Sequence, residues 1–320
     1  MMTLDLNRII GIHGVNIVQI FMSRILILGS TGMLGTMVSR YFLNLKEYDV
    51  ALTTRAPGQE SDESYIFKYD ASVDEVDSLI QKVNPDYVIN CIGIIKPEID
   101  EANQQSISNA ININSYFPLQ LSNNAEVHKF KYIQIGTDCV FSGNTGNYVE
   151  SSFQDAEDVY GKSKIGGEVV HNYKQVVRAS IVGPEIGEGK SLLNWFLSQE
   201  KNEINGFKDH LWNGITTLNF AKIAHGMIKS DTFSQNLQHL IPKDIVSKFT
   251  LLEYFKNYFD IDIEINEINS DKSVNRTLNT ENIKFNNLLW MNAGYDHVPT
   301  IEENIKELAE SDISKGILSK

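Results

Sequence analysis

Two cysteines, Cys91 and Cys139, are all that 320 residues contain. They exclude a disulfide framework and leave no metal-ligand spacing, and they suit a reducing cytoplasm, the expected location. Positive charge is scarce as well. The 28 Lys and Arg stand against 41 Asp and Glu, a formal net charge of −13, and no basic run occurs. Nucleic acid and anionic membrane are thereby excluded as main partners. A small ligand bearing phosphates is not, because backbone amides bind anions even in an acidic protein. No apolar run is long enough to span a bilayer. The opening "MMTLDLNRIIGIHGVNIVQIF" lacks the basic start and clean apolar core of a signal peptide: Asp5 opposes Arg8, and His13, Asn16 and Gln19 interrupt it. Residues 1–21 are expected to be a poorly ordered extension, with Met22 an alternative start.

What is present is ordinary for a globular protein: 42% hydrophobic and 22% charged residues, and enough chain for a large core. From Arg24 short apolar runs alternate with amphipathic stretches. "RILIL" (24–28), "YDVALTT" (48–54), "YIFKY" (65–69), "DYVINC" (86–91), "YIQI" (132–135) and "QVVRAS" (175–180) read as strands. Helices are expected from Thr31 to Leu45, near 73–83, over 103–127 with a kink at Pro118, and over 157–173. Strands apolar throughout and alternating with helices predict an α/β fold, a doubly wound parallel sheet of Rossmann type. After residue 180 the rhythm loosens. "SLLNWFLSQEK", "LNFAKIAHGMIK" and "VSKFTLLEYFKNYF" read as helices and "IDIEINEI" as a strand. The expected division is a dinucleotide-binding domain over 22–180, with part of 215–245 returning to it, and a smaller C-terminal substrate lobe over 181–320. There is no internal repeat or low-complexity tract.

"LGSTGMLG" places Gly29, Gly32 and Gly35 after a strand and at the start of a helix. Glycine there permits a tight turn and close approach of a pyrophosphate to the helix N-terminus; a plain strand–helix turn is the alternative. The second strand ends in Thr53, Thr54 and Arg55, with no acidic residue to grip a ribose 2′-hydroxyl. A hydroxyl and a guanidinium suit a 2′-phosphate, against the alternative of a solvent-facing arginine. "IGTDCVF" puts Thr137 and Asp138 at the carboxyl end of the fifth strand, the edge where ligands sit in open α/β sheets. Thr137 taken alone reads better as a strand-end hydroxyl that satisfies local backbone. Tyr160 and Lys164, four apart in "DVYGKSKIGGEVV", share a helix face. Gly161, Gly166 and Gly167 each cost that helix about 1 kcal/mol relative to alanine, so a reason for them is needed. A solvated face is the bland account of the pair. The turn, the strand-end hydroxyl and the pair occur together in the order an active site needs, and the glycines then mark a close approach to a neighbour.

With those residues in view, "GSTGMLG", "VINCIGII", "ININSYFPLQLS", "IGTDCVFSGNTGNYVE", "VYGKSKIGGEVV" and "VVRASIVGP" resemble the successive motifs of extended short-chain dehydrogenase/reductases. Within these the chain is most similar to the dTDP-4-dehydrorhamnose reductase group of sugar-nucleotide reductases. "TDCVF" leading into "YGKSK..GE" carries most of the likeness, and "VNRTLNT" (274–280) resembles that group's C-terminal segment. The resemblance covers about residues 23 to 310.

It implies Tyr160 as general acid, Lys164 holding the nicotinamide ribose and depressing the tyrosine pKa, and Thr137 bonding the reacting oxygen. Gly29, Thr31, Gly32, Met33, Leu34 and Gly35 would surround the pyrophosphate, Arg55 would meet the 2′-phosphate and Asp70 the adenine side. Asn90, Cys91, Ile92 and Gly93 would run along the cofactor, Asn112 would be the asparagine of the next helix, and Thr137, Asp138 and Cys139 would face substrate. NADP(H) is the implied cofactor ahead of NAD(H), a nucleotide sugar the substrate, and a homodimer through surface helices the expected assembly. The implied function is NADPH-dependent reduction of a nucleotide-activated 4-keto-6-deoxy sugar for surface polysaccharide precursors. A cofactor-retaining sugar-nucleotide epimerase and a non-catalytic regulatory subunit on the same fold are the alternatives. Cys139 departs from the tyrosine usual in the reductases and the glutamate of the 4,6-dehydratases, and Asp158 stands where proline or asparagine is common.

Overall fold

A computed structural model describes residues 22–56, 65–187, 189–199, 203–234 and 237–320. The expected extension over 1–21 lies outside the described residues. β1 (Arg24–Leu28) is followed by α1 (Met33–Leu45), β2 (Asp49–Thr54), β3 (Tyr65–Lys68), α2 (Val76–Val83) and β4 (Tyr87–Asn90). Then come α3 (Gln104–Ile111), α4 (Phe117–His128), β5 (Lys131–Gly136), α5 (Val159–Gly167) and β6 (Lys174–Arg178). The second half supplies β7 (Ile181–Val182), α6 (Leu192–Leu197), β8 (Glu203–Phe207), β9 (His210–Trp212), β10 (Ile215–Thr216), α7 (Thr217–Lys229) and β11 (Leu237–His239). β12 (Val246–Ser247), α8 (Lys248–Phe259), β13 (Glu264–Ile268), β14 (Val274–Asn275), α9 (Ile283–Asn292), α10 (Ile301–Glu310) and α11 (Asp312–Leu318) complete it.

Seven strands form one parallel sheet in the order β11-β6-β5-β4-β1-β2-β3. β1 is an interior strand between β4 and β2, with Ile25 opposite Val50 on one side and Tyr87 on the other. Alternation along it divides the core. Ile25 and Ile27 face the cluster holding Phe42, Phe220 and Ala224; Leu26 and Leu28 face the one holding Ile80, Phe117 and Leu121. All four are fully buried, each stabilising the fold by about 1.5–3 kcal/mol. The sheet is therefore covered on both faces, which is why its strands read as unbroken apolar runs. This is the doubly wound parallel sheet the sequence predicts. Its strand order reverses between β1 and β4, and ligands bind beyond the carboxyl ends of strands at such a point.

Three element boundaries differ from expectation for physical reasons. The helix expected over 103–127 is two helices, α3 and α4, joined by a wide π-type turn over Asn112–Tyr116. Pro118 has no N–H for the carbonyl of Asn114 four residues earlier, and the wide turn absorbs the mismatch. α5 stops at Gly167 instead of running to 173, because Glu168 turns inward to buried partners. The strand expected over 175–180 ends at Arg178, and Ile181–Val182 pairs separately with β10. Later in the chain α7 packs on α1, and β11 adds itself to the main sheet beside β6.

Candidate active site

The turn after β1 is built by backbone geometry. Gly29 has φ +76, a left-handed conformation that favours glycine. Its N–H donates to Thr53 Oγ1 at 2.9 Å, and Ser30 N–H donates to the Thr53 carbonyl at 3.0 Å. Thr53 therefore braces this turn through both its hydroxyl and its carbonyl. A Cβ at Gly35 would stand 1.9 Å from the Gly29 carbonyl oxygen, so Gly35 lets helix meet turn and does not line a ligand site. Gly32 is different. A Cβ there would meet nothing nearer than 3.9 Å, so packing does not require the glycine. The space above it is open cleft at the start of α1, whose first turn has no side-chain cap and no acidic residue.

Two adjoining clefts run along the strand ends. The first is lined by Gly29, Thr31, Gly32, Arg55, Asp70 and Ile113, the second by Met33, Leu34, Thr137, Asp138, Cys139, Tyr160 and Lys164. They share Gly32, Arg55, Cys91, Ile92, Gly93, Ile94 and Glu98, which makes one trough from Asp70 to Tyr160. A long cleft at the carboxyl ends of parallel strands is where doubly wound folds bind dinucleotides. Asp70, at the far end, accepts from Ser72 N–H at 2.9 Å and Ser72 Oγ at 2.6 Å, bonds that hold its carboxyl below the usual range. Cys91, in the shared wall, has its thiol pushed up by burial.

Asn112 lines neither cleft. The side chain turned inward is Asn114, within the wide turn. Its Oδ1 accepts from Ile94 N–H at 3.0 Å, and its Nδ2 donates to the Ile94 carbonyl at 2.9 Å and to Ser163 Oγ at 3.0 Å. Asn114 thus binds the loop after β4 to α5. The same turn explains the glycines of α5. A Cβ at Gly167 would stand 2.1 Å from the Asn114 carbonyl oxygen, to which Pro118 has no N–H to donate, and a Cβ at Gly166 would stand 2.7 Å from Ser115 Oγ. At Gly161 it would meet the Cys139 carbonyl at 2.3 Å. The helix is poor in propensity because it is pressed against the site from two sides.

Asp158 caps α5, accepting from Gly161 N–H at 2.8 Å, and pairs with Lys96 at 2.7 Å. One turn on, Tyr160 and Lys164 face the cleft. Lys164 Nζ donates to the Ile135 carbonyl at 3.2 Å and lies beside Gly93. Burial pulls the Lys164 ammonium down, opposed by the Glu168 carboxylate. Burial pushes the Tyr160 phenol up, and the hydrogen bond with Thr137 pulls it back only in part. The expected depression of Tyr160 by Lys164 is not found: the phenol is raised by desolvation, and the group that lowers it is the Thr137 hydroxyl. Thr137 Oγ1 accepts from Cys139 N–H at 3.2 Å and donates to Asp138 Oδ1 at 3.3 Å. Asp138 is raised by burial against the pull of Arg276 and Lys248. Cys139 is pushed up to about 12 by burial.

Sequence reasoning assigned no role to Asn114, Glu168 or Lys248. Lys248, at the start of α8, has its ammonium 5.2 Å from the centre of the Trp212 ring and is brought down to about 8 by burial. Asn114 had a signal in Pro118 four residues later, and Glu168 in its spacing from Lys164. Lys248 had none, since its proximity to Asp138 is tertiary.

A family model described as "RmlD substrate binding domain" matches residues 22–312. Curated relatives include methionine adenosyltransferase 2 subunit beta of Danio rerio, 29% identical over 146 residues, 45% of this chain and 42% of that protein. The protein of that name from Xenopus tropicalis is 32% identical over 153 residues, 47% of this chain and 43% of the relative. The match thus spans less than half the length of these relatives. Among solved structures, dTDP-4-dehydrorhamnose reductase from Bacillus anthracis str. Ames in complex with NADP superposes with TM-score 0.71 at 20% identity, covering 90% of this chain and 98% of that one. UDP-N-acetylglucosamine 4-epimerase from Methanobrevibacter ruminantium M1 gives TM-score 0.70 at 14% identity, covering 92% and 99%. At such identities the likeness is one of fold.

Proposed function

The chain belongs to the RmlD substrate binding domain family, and from that premise we propose that it reduces the 4-keto group of a nucleotide-activated 6-deoxy sugar, using NADPH. The observation that carries this reading is the trough that joins the open space over Gly32 to Thr137, Tyr160 and Lys164. NADPH, when bound, supplies the hydride. The backbone around Gly32 would hold its pyrophosphate, Arg55 its 2′-phosphate, and Lys164 its nicotinamide ribose.

Hydride addition turns a ketone into an alkoxide, which is a stronger base than a phenolate. Tyr160 would give its Oη proton to that oxygen, and a phenol kept protonated by burial is in the correct state to do so. Thr137 would orient the same oxygen. Dehydration is disfavoured. It needs a second base beside the threonine, and the Cys139 thiol, held at about 12, stays protonated near neutral pH. A second reading, a subunit that binds a partner without turnover, draws on the curated relatives named as beta subunits.

The test is a panel of nucleotide-linked 4-keto sugars incubated with NADPH, following cofactor oxidation. At least one member should be turned over, and Tyr160→Phe should lower kcat by about 10²–10⁴-fold. A wild-type protein that binds dinucleotide but turns over no member would favour the partner-binding reading.

A further inference from the structure

One buried ion pair lies behind the cleft, and the proposed mechanism leaves it unused. Glu168 follows the last residue of α5 and is 5% exposed; Arg178, on β6, is fully buried. Glu168 Oε2 receives Arg178 Nη2 at 2.5 Å and Nε at 3.2 Å. Its other oxygen, Oε1, accepts from the backbone N–H of Thr137 at 3.0 Å. β5 ends at Gly136, so Thr137 has left the strand ladder and this carboxylate takes the place of a ladder partner. A Cβ at Gly136 would stand 2.3 Å from the same oxygen, so the glycine there is the space the carboxylate occupies.

Arg178 continues the chain. Its Nη1 donates to His239 Nε2 at 2.7 Å. Nε2 must then be the unprotonated nitrogen, and Nδ1–H donates to the Asn279 carbonyl at 2.7 Å. The strand end carrying Thr137 is thereby tied through three side chains to the segment after β14. Dehydrating a carboxylate and a guanidinium is costly, and an apolar pair would serve stability as well or better. The placement of this pair requires another reason, and its neighbours supply one. Glu168 is the carboxylate that opposes the effect of burial on Lys164.

We infer that Glu168 is a positioning residue of the catalytic centre: it sets Thr137 through the backbone N–H and, four residues after Lys164 at the end of α5, places a negative charge one turn beyond it. The inference rests on the reductase reading for the roles of those two residues. Glu168 itself touches neither cofactor nor substrate. The charged and titratable groups around Lys164 are Glu168 with its partner Arg178, Tyr160 on the same helix, Cys139 after β5 and Lys174 on β6, while Asp138, Glu98, Glu185 and Arg55 line the same cleft. Of the two groups whose charge would raise Lys164, Glu168 is a carboxylate and the Cys139 thiol, held at about 12, is neutral near pH 7.

Two substitutions separate the functions. Glu168→Gln keeps an oxygen for the Thr137 N–H and removes the charge. Lys164 should then lose its proton at lower pH, and both NADPH affinity and kcat/KM should begin to fall about 1 pH unit earlier on the alkaline side. Glu168→Ala removes the oxygen as well, and kcat should drop by up to about 100-fold at every pH. Should the lone Arg178 charge prevent folding, Glu168→Gln combined with Arg178→Met removes it; the paired charges cancel in part, so its alkaline limb should move in the same direction by a smaller amount.

The decisive readout is NADPH binding against pH, which needs no turnover. An unshifted alkaline limb in folded Glu168→Gln, or in the double variant if the single does not fold, overturns the inference, even if the melting temperature falls. Absence of sugar turnover by the wild-type protein, with the limb still shifted, would instead count against the reductase reading alone.

Discussion

Arg55 leaves the end of β2 exposed and lines both halves of the trough, while Thr53 and Thr54 beside it are buried and bonded to backbone. All three border the cleft, but Arg55 is the one that is exposed and charged. Arg55 and Asp70 line the same half of the trough, which is where the proposed function places the 2′-phosphate. Hydrogen bonds to charged groups contribute about 1.5–3 kcal/mol, so Arg55→Ala should raise the NADPH KM about tenfold or more and leave the NADH KM nearly unchanged. Equal changes for both cofactors in steady-state assays would remove Arg55 from phosphate recognition. The pattern that pointed to Arg55 was an absence, the missing acid at the strand end, and one residue type sufficed to show it. Asn114 could not be found that way. Asn112 fits the motif, but the wide turn before Pro118 brings the residue two positions later to the inner face. An insertion of that kind changes no spacing in the sequence.

At the scale of elements, α5 and β6 were legible as helix and strand, and what joins them was not. The three glycines of α5 predict a close neighbour, and the structure supplies Asn114, Ser115 and Cys139. The inward turn at Glu168 depends on Arg178 and Thr137, which no local propensity reports. The same network fixes how β11 responds to acid. His239 is fully buried, receives an N–H from Arg178, and is pushed down to about 4 by burial from an ordinary 6.5. A histidine that is neutral in the fold and titrates normally when unfolded contributes stability above pH about 6.5. That contribution is lost as pH falls toward about 4, on the order of 2–3 kcal/mol. Chemical denaturation followed across that window should show the decline. His239→Gln can accept from Arg178 and donate to the Asn279 carbonyl without taking up a proton, so its decline should be shallower. Parallel curves for the two proteins would mean that His239 is not the group that titrates.

For the molecule as a whole, the central sheet was the most legible feature because burial on both faces writes itself into the strands as unbroken apolar runs. The second half was harder to read. β7 to β10 are two to five residues long and pair with distant segments, such as Ile215 with Ile181 and Val246 with Trp212. Lys248 and Arg276 reach the surroundings of Asp138 from this half, the first from α8 and the second from the segment after β14. The sheet would bring a cofactor to Thr137, Tyr160 and Lys164, and the second half would bring the sugar. The central claim is that hydride passes between the two, and isotopic transfer tests it most directly. NADPH deuterated at the transferable C4 position is mixed with the active nucleotide-linked 4-keto sugar, and the product is weighed by mass spectrometry. A hydroxy sugar carrying one deuterium should form, with one NADPH consumed. A product without the label, or none at all with NADPH bound and intact, would contradict that claim.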